Sequence, residues 1–191
     1  MPKTTFTYTN GFSLVELIVS IAILSVLVSM GAPSFKEFIK QNEVYVGSEE
    51  LHRALFYTRS QALKWKQTVY LCLLNDDERT CDESSSSINF NQGWLIFVDC
   101  NNDGSFNGVL ASCDLDGDSV ADQSELLHIR QAFTSSIDIL PTQKTLRRMS
   151  YNMIGRARSG SFCIENSSSK KTKIIIASTG RIRTEQVESC R

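Results

Sequence analysis

Gly11-Phe12-Ser13-Leu14-Val15-Glu16, and the almost unbroken apolar run that continues from it to Ala32, decide how the rest of the chain is read. As a helix, residues 12–32 would extend about 32 Å at roughly 1.5 Å per residue, the thickness of one bilayer core. Glu16 is the single charge in that run. A carboxylate held in hydrocarbon is unfavourable unless a counter-charge meets it, so Glu16 requires a partner. The residues before Gly11 have no apolar segment and carry Lys3 as their one charge, which orients them weakly toward the cytoplasm. An ordinary secretory signal puts its apolar region before the cleavage site, not after it.

This arrangement resembles the N-terminus of type IV pilins and of type II secretion pseudopilins. The resemblance implies a leader, residues 1–11, that a prepilin peptidase removes after Gly11, with N-methylation of the new terminal Phe12. It implies a transmembrane and pilus-core helix at residues 12–32, and pairing of Glu16 with the terminal amine of a neighbouring subunit during assembly. Pro33 matches a helix-kinking proline common in pilins. The expected location follows: a single-pass protein of the bacterial inner membrane with residues 33–191 in the periplasm, incorporated into a surface pilus. Its partners would be other major and minor pilins and the pilus assembly platform.

Removal of residues 1–11 from the 191 would leave a membrane helix followed by enough chain for one ordinary domain. Charge is nearly balanced, with 20 Lys and Arg against 21 Asp and Glu. The two signs are segregated, however. Residues 76–125 are strongly acidic, whereas residues 144–191 hold eleven Lys or Arg against three Glu. Six cysteines in a chain delivered to an oxidising compartment point to disulfides. About fifteen pairings are possible, and the spacings favour Cys72 with Cys81, Cys100 with Cys113, and Cys163 with Cys190. Zinc is the weaker reading, because no Cys-x-x-Cys pair or histidine cluster is present.

Beyond Pro33 the helical period continues through Phe35, Phe38, Ile39, Leu51, Ala54, Leu55, Ala62 and Trp65, so the helix is expected to reach about residue 66 with this stripe in the core. Gly47 and Ser48 predict a bend or local melting midway. Arg53, Arg59, Lys64 and Lys66 are expected on the solvent side. Strands are expected at 69–74, 94–98, 126–129, 137–140, 148–154, 161–164 and 173–177. The stretch 94–98 is apolar on both faces and therefore central or sandwiched, and 99–125 is a long acidic insertion. Helix first and sheet afterwards is an α+β chain.

Thr58-Arg59-Ser60-Gln61-Ala62, Gly93-Trp94-Leu95-Ile96-Phe97-Val98-Asp99, Asn101-Asn102-Asp103-Gly104 and Gly180-Arg181-Ile182-Arg183 together resemble the FimT/FimU and GspH family of minor pilins, nearest to FimT. The fold implied is a type IV pilin-like one, a long N-terminal helix packed on a β-sandwich-like antiparallel sheet region. The acidic turn at 103–125 is longer than that pattern and carries an extra cysteine pair.

Two stretches suggest binding. Gly180-Arg181-Ile182-Arg183 follows an apolar strand, and alternation sends Arg181 and Arg183 to one side, where two guanidiniums can grip successive phosphates. Lys170, Lys171 and Lys173 extend the same positive surface, and Gly155-Arg156-Ala157-Arg158 repeats the motif. In the FimT branch the resemblance implies sequence-independent DNA binding here, for DNA uptake in natural transformation. Asp114, Asp116, Asp118, Asp122 and Glu125 approximate a calcium loop, although Ser119 stands where such loops have glycine. Asp99, Asn101 and Asp103 begin a second such spacing without a terminal Glu. No cofactor is required by this reading, and calcium is the optional one. His52 and His128 sit in no catalytic motif and no nucleophile elbow occurs, so no enzyme is expected. The rival functions are priming of pilus assembly, a GspH-like role in type II secretion without DNA, and a calcium-dependent adhesive tip.

Overall fold

The protein is described here by a computed structural model covering residues 11–191 except 78, 84–86, 109–111, 115–122, 135, 144–145, 168–169 and 191, with backbone alone at 30–33, 112 and 123. It divides into two compact units, Met1–Ile39 and Lys40–Arg191.

Helix α1, Leu14–Trp65, begins where the Ser13 hydroxyl accepts the Glu16 N–H at 3.2 Å. Serine followed three residues later by glutamate is an N-terminal capping pattern, so the peptide that precedes the apolar run also starts its helix. In the first unit this helix is apolar and exposed, and long enough to cross a membrane. Phe35 and Phe38 are 64% and 65% exposed and Ile39 is also exposed, which corrects their expected place in the core.

The core of the second unit starts at Val44. Val44, Ser48, Leu51, Leu55, Thr58 and Ala62 are buried at spacings of three and four, one face of α1. The helix runs unbroken through Gly47 and Ser48, where a bend or local melting was expected, so no melting occurs there. Gly47 is there for close approach: a Cβ on it would stand 2.4 Å from Ile137 Cδ1. The Ser48 hydroxyl donates to the Tyr45 carbonyl at 2.8 Å, so its burial leaves no orphaned donor.

Among the described residues ten strands follow: β1 Thr68–Leu73, β2 Trp94–Asp99, β3 Ser112–Cys113, β4 Gln123–Ser124, β5 Leu126–Arg130, β6 Asp138–Pro141, β7 Arg148–Tyr151, β8 Gly160–Glu165, β9 Lys171–Ile176 and β10 Ile182–Val187. They form antiparallel sheets in the orders β5-β2-β1-β7 and β10-β9-β8-β6, with β3-β4 a small ladder. Every residue of β2 is buried. Trp94, Ile96 and Val98 join the helix in the main core, while Leu95 and Phe97 form a second cluster with Cys72 and Leu74 beneath Tyr70 and Phe106. Strand β7 is shorter than expected because Asn152 opens a turn, its carbonyl accepting the Gly155 N–H at 2.8 Å. Strand β10 carries no apolar alternation and was not expected. Among the described residues it is an edge strand paired to β9, maintained mainly by backbone pairing, with Ile182 its one apolar contact to the main core.

The disulfides join Cys72 to Cys81, Cys100 to Cys113 and Cys163 to Cys190, with Cα separations of 5.7, 5.6 and 5.9 Å. The last closes the longest loop, with a sequence separation of 27, and ties the C-terminal tail to β8. Replacing Cys163 and Cys190 by alanine is expected to lower stability by about 3–4 kcal/mol in the chain-entropy model. Urea unfolding of the oxidised double variant beside the native chain measures this, and a midpoint unchanged from native would contradict it.

Candidate nucleic-acid interface

The interface is built on the β9–β10 hairpin. Along β9, Thr172, Ile174 and Ile176 are buried, which turns Lys171, Lys173 and Ile175 to the opposite face. Val187, Glu185 and Arg183 stand opposite these three on β10. The hairpin closes at Gly180, whose N–H donates to the Ala177 carbonyl at 2.8 Å with φ +79°. Arg181 and Arg183 are both exposed and line one concavity of about 310 Å³ with Ile175, Ala177 and Thr179.

The second Gly-Arg-x-Arg turn is docked onto the first. Asn152 organises it, its side-chain oxygen accepting the Arg156 N–H at 2.9 Å. The Ala157 N–H donates to the Ser178 carbonyl at 3.2 Å, across to the hairpin tip. Gly180 faces the Gly155 carbonyl so closely that a Cβ on it would lie 1.9 Å from that oxygen. Beneath both turns is Arg59 of α1, which donates to the Thr179 carbonyl at 3.4 Å. This corrects its expected place on the solvent side, whereas Arg53, Lys64 and Lys66 are exposed. Arg59 Nε and the Tyr151 hydroxyl are buried without a hydrogen-bond partner among the described residues. Burial pushes the Tyr151 phenol well above its ordinary value, and the Arg59 charge pulls the other way. Sequence reasoning missed Arg59, although its position four residues after buried Leu55 places it at the edge of the buried stripe.

The remaining cations divide. Arg156 is exposed on the docked turn and Lys170 is exposed ahead of β9. Lys171 is half-buried and ion-paired with Glu165, and Arg183 Nε lies 3.4 Å from Glu185 Oε1. The Arg183 pair is exposed, so it gives little stability and its arginine remains available to a stronger anion. Arg158 lines a different concavity, with Asp82, Glu83, Arg147 and Arg148. The hairpin face and its docked turn therefore present Arg156, Lys171, Lys173, Arg181 and Arg183 against Glu165 and Glu185.

Of the expected calcium ligands, Asp116, Asp118 and Asp122 lie outside the described residues, and Asp114 is exposed. Glu125 is 2% exposed, and both its oxygens accept from Asn107, Oε2 from the N–H at 2.8 Å and Oε1 from Nδ2 at 3.3 Å. Burial raises its pKa, the Asn107 bonds lower it, and the charges of Asp103 and Asp99 raise it further. Cys163, Cys190 and Glu165 also come together, but the two sulfurs are spent on their disulfide. His128 packs edge-on to Tyr57 at 6.4 Å in a groove shared with Glu50, Trp94 and Arg130.

Residues 48–180 match the family described as type II transport protein GspH, and residues 7–32 match the prokaryotic N-terminal methylation motif. Among solved structures, the type IV minor pilin FimU of Pseudomonas aeruginosa PAO1 in space group P21 is similar, with a TM-score of 0.53 and 20% identity over 81% of this chain and 99% of that one. Its P65 crystal form gives 0.50 and 19% over 77% and 99%. At such identity the likeness concerns the fold, the same α+β arrangement of a long helix and antiparallel sheets. No curated protein matches the chain in sequence.

Proposed function

The chain belongs to the GspH family, and from that premise we propose that it is a minor type IV pilin whose β9–β10 face binds DNA for uptake in natural transformation. A prepilin peptidase cuts after Gly11 and Phe12 is methylated. The apolar helix holds the chain in the inner membrane with its second unit in the periplasm. Glu16 meets a neighbouring subunit's terminal amine on entry into the pilus. The observation that supports DNA binding is the concavity lined by exposed Arg181 and Arg183, on a hairpin whose tip the second Gly-Arg-x-Arg turn docks against. Guanidiniums grip phosphate oxygens with planar paired donors. No aromatic side chain lines that concavity, so contacts fall on the backbone of the nucleic acid and are independent of its sequence.

The test is binding of duplex DNA by the full chain in detergent across about 50 to 300 mM salt. The logarithm of the affinity should fall linearly with the logarithm of salt, with a slope of about −3 for three or four phosphates. Absence of salt-sensitive binding at the lowest ionic strength overturns the DNA assignment and leaves the pilin. A second reading, a subunit that primes assembly or serves as a GspH-like pseudopilin through pilin contacts alone, is favoured by the apolar outer side of α1. There Tyr45 and Phe56 are 61% and 62% exposed in the second unit, a surface suited to lateral packing in a fibre.

A further inference from the structure

The turn after β2 has the ligand spacing of a calcium loop, and the fold brings it the carboxylate that its own sequence lacks. Asp99, Asn101 and Asp103 occupy loop positions one, three and five, and Gly104 follows at the sixth with φ +72°, the position where such loops need glycine. The Asp99 carboxylate is 1% exposed. One oxygen, Oδ2, accepts the Gly104 N–H at 2.9 Å. The other, Oδ1, is shut off from solvent and meets no donor among the described residues. A buried carboxylate oxygen without a donor or counter-charge is unfavourable, and a bound cation is one group that satisfies it. Among the described residues no Lys, Arg or His is ion-paired with Asp99, Asp103 or Glu125.

The twelfth loop position, which supplies a two-oxygen glutamate in calcium loops, is Leu110 here. The candidate for its place is Glu125, which reaches the ninth loop residue from the far side of the acidic insertion. Its backbone carbonyl accepts the Val98 N–H at 2.9 Å, beside the start of the turn, and its carboxylate is held with both oxygens on Asn107, the ninth loop residue. The Cys100–Cys113 disulfide anchors the turn to β3, whose partner β4 leads directly into Glu125. Asp103 is turned to the Ser105 N–H at 2.7 Å and to Asn101, but it is exposed, so packing does not prevent its rotation.

We propose that Asp99, Asn101, Asp103 and Glu125 bind one calcium ion, with Glu125 completing the loop in place of residue 110. All four donors are oxygens, three of them carboxylate, and they come from an irregular turn. That set suits the flexible, oxygen-rich coordination of calcium and not the thiolate and imidazole ligands that zinc favours. This site is independent of DNA binding, and it differs from the loop of Asp114, Asp116, Asp118 and Asp122 in every ligand but Glu125.

The experiment is calorimetric titration of the chelator-treated full chain in detergent with calcium chloride, with thermal melting in parallel. One ion should bind with a Kd of about 0.1–1 mM, the range of extracellular modules, and about 10 mM calcium should raise the melting temperature by several degrees. Asp103→Asn, a surface change that leaves the fold intact by circular dichroism, should weaken binding at least about tenfold. Asp116→Asn with Asp118→Asn should leave it unchanged. No binding heat and no melting shift in the native chain would overturn the proposal. So would binding that survives Asp103→Asn but is lost in the Asp116/Asp118 variant.

Discussion

Replacing Gly180 with alanine is expected to destabilise the second unit by about 3 kcal/mol or more, at the upper end of what one methyl group does. Two effects add. The residue holds φ at +79°, a conformation that alanine adopts with strain. The added Cβ would also lie 1.9 Å from the Gly155 carbonyl oxygen, an atom of backbone that cannot rotate away as a side chain can. Relief requires the hairpin tip to move off the 155–158 turn, which breaks the Ala157 to Ser178 hydrogen bond and lifts Thr179 from Arg59. Gly108 supplies the control, because it holds φ +115° with nothing among the described residues within 4 Å of its Cβ position. Gly108→Ala should therefore show the conformational term alone, about 1 kcal/mol. Urea unfolding of the two variants separates steric conflict from backbone strain, and equal midpoints would mean that the turns are not docked as described.

Arg181→Ala combined with Arg183→Ala is expected to weaken duplex DNA binding about five- to thirtyfold at low salt, if each exposed contact contributes about 0.5–1 kcal/mol. The more diagnostic quantity is the salt slope, which should shrink in magnitude by about two as two phosphate contacts disappear. Both side chains are exposed and the ion pair of Arg183 with Glu185 is exposed as well, so the melting temperature should not move. Arg158→Ala removes an equal charge from the other concavity and should leave the slope as it was. If all three arginines proved equivalent, the binding would be a diffuse response to net charge rather than to this hairpin. If the double variant bound as tightly as the native chain, the β9–β10 face would be a pilin contact.

The local chemistry of the chain was enough to establish its N-terminal helix, the strands with apolar alternation and the three cysteine pairs. Periodicity, β-branched runs and short cysteine spacings are properties of neighbouring residues, and they survive whatever the rest of the molecule does. Even there the stripe was read too far: Phe35, Phe38 and Ile39 have the right period, but burial needs a surface to bury against, and among the described residues the buried face of α1 begins at Val44. Strand β10 escaped notice because its sequence is polar and its stability comes from hydrogen bonds to β9, which no pattern within residues 182–187 encodes. The alternation of Arg181 and Arg183 could be read directly. That Gly155-Arg156-Ala157-Arg158 would dock on the same tip while Arg158 turned elsewhere could not, since those positions are distant along the chain and meet through the Ala157 to Ser178 hydrogen bond, the close approach of Gly155 to Gly180 and the packing of Arg59. Glu125 shows the same division. Its carboxylate looked like the end of one acidic loop, and tertiary pairing of β2 with β5 set it against another, because long-range contacts are chosen by how whole strands share a core and not by the spacing of charges.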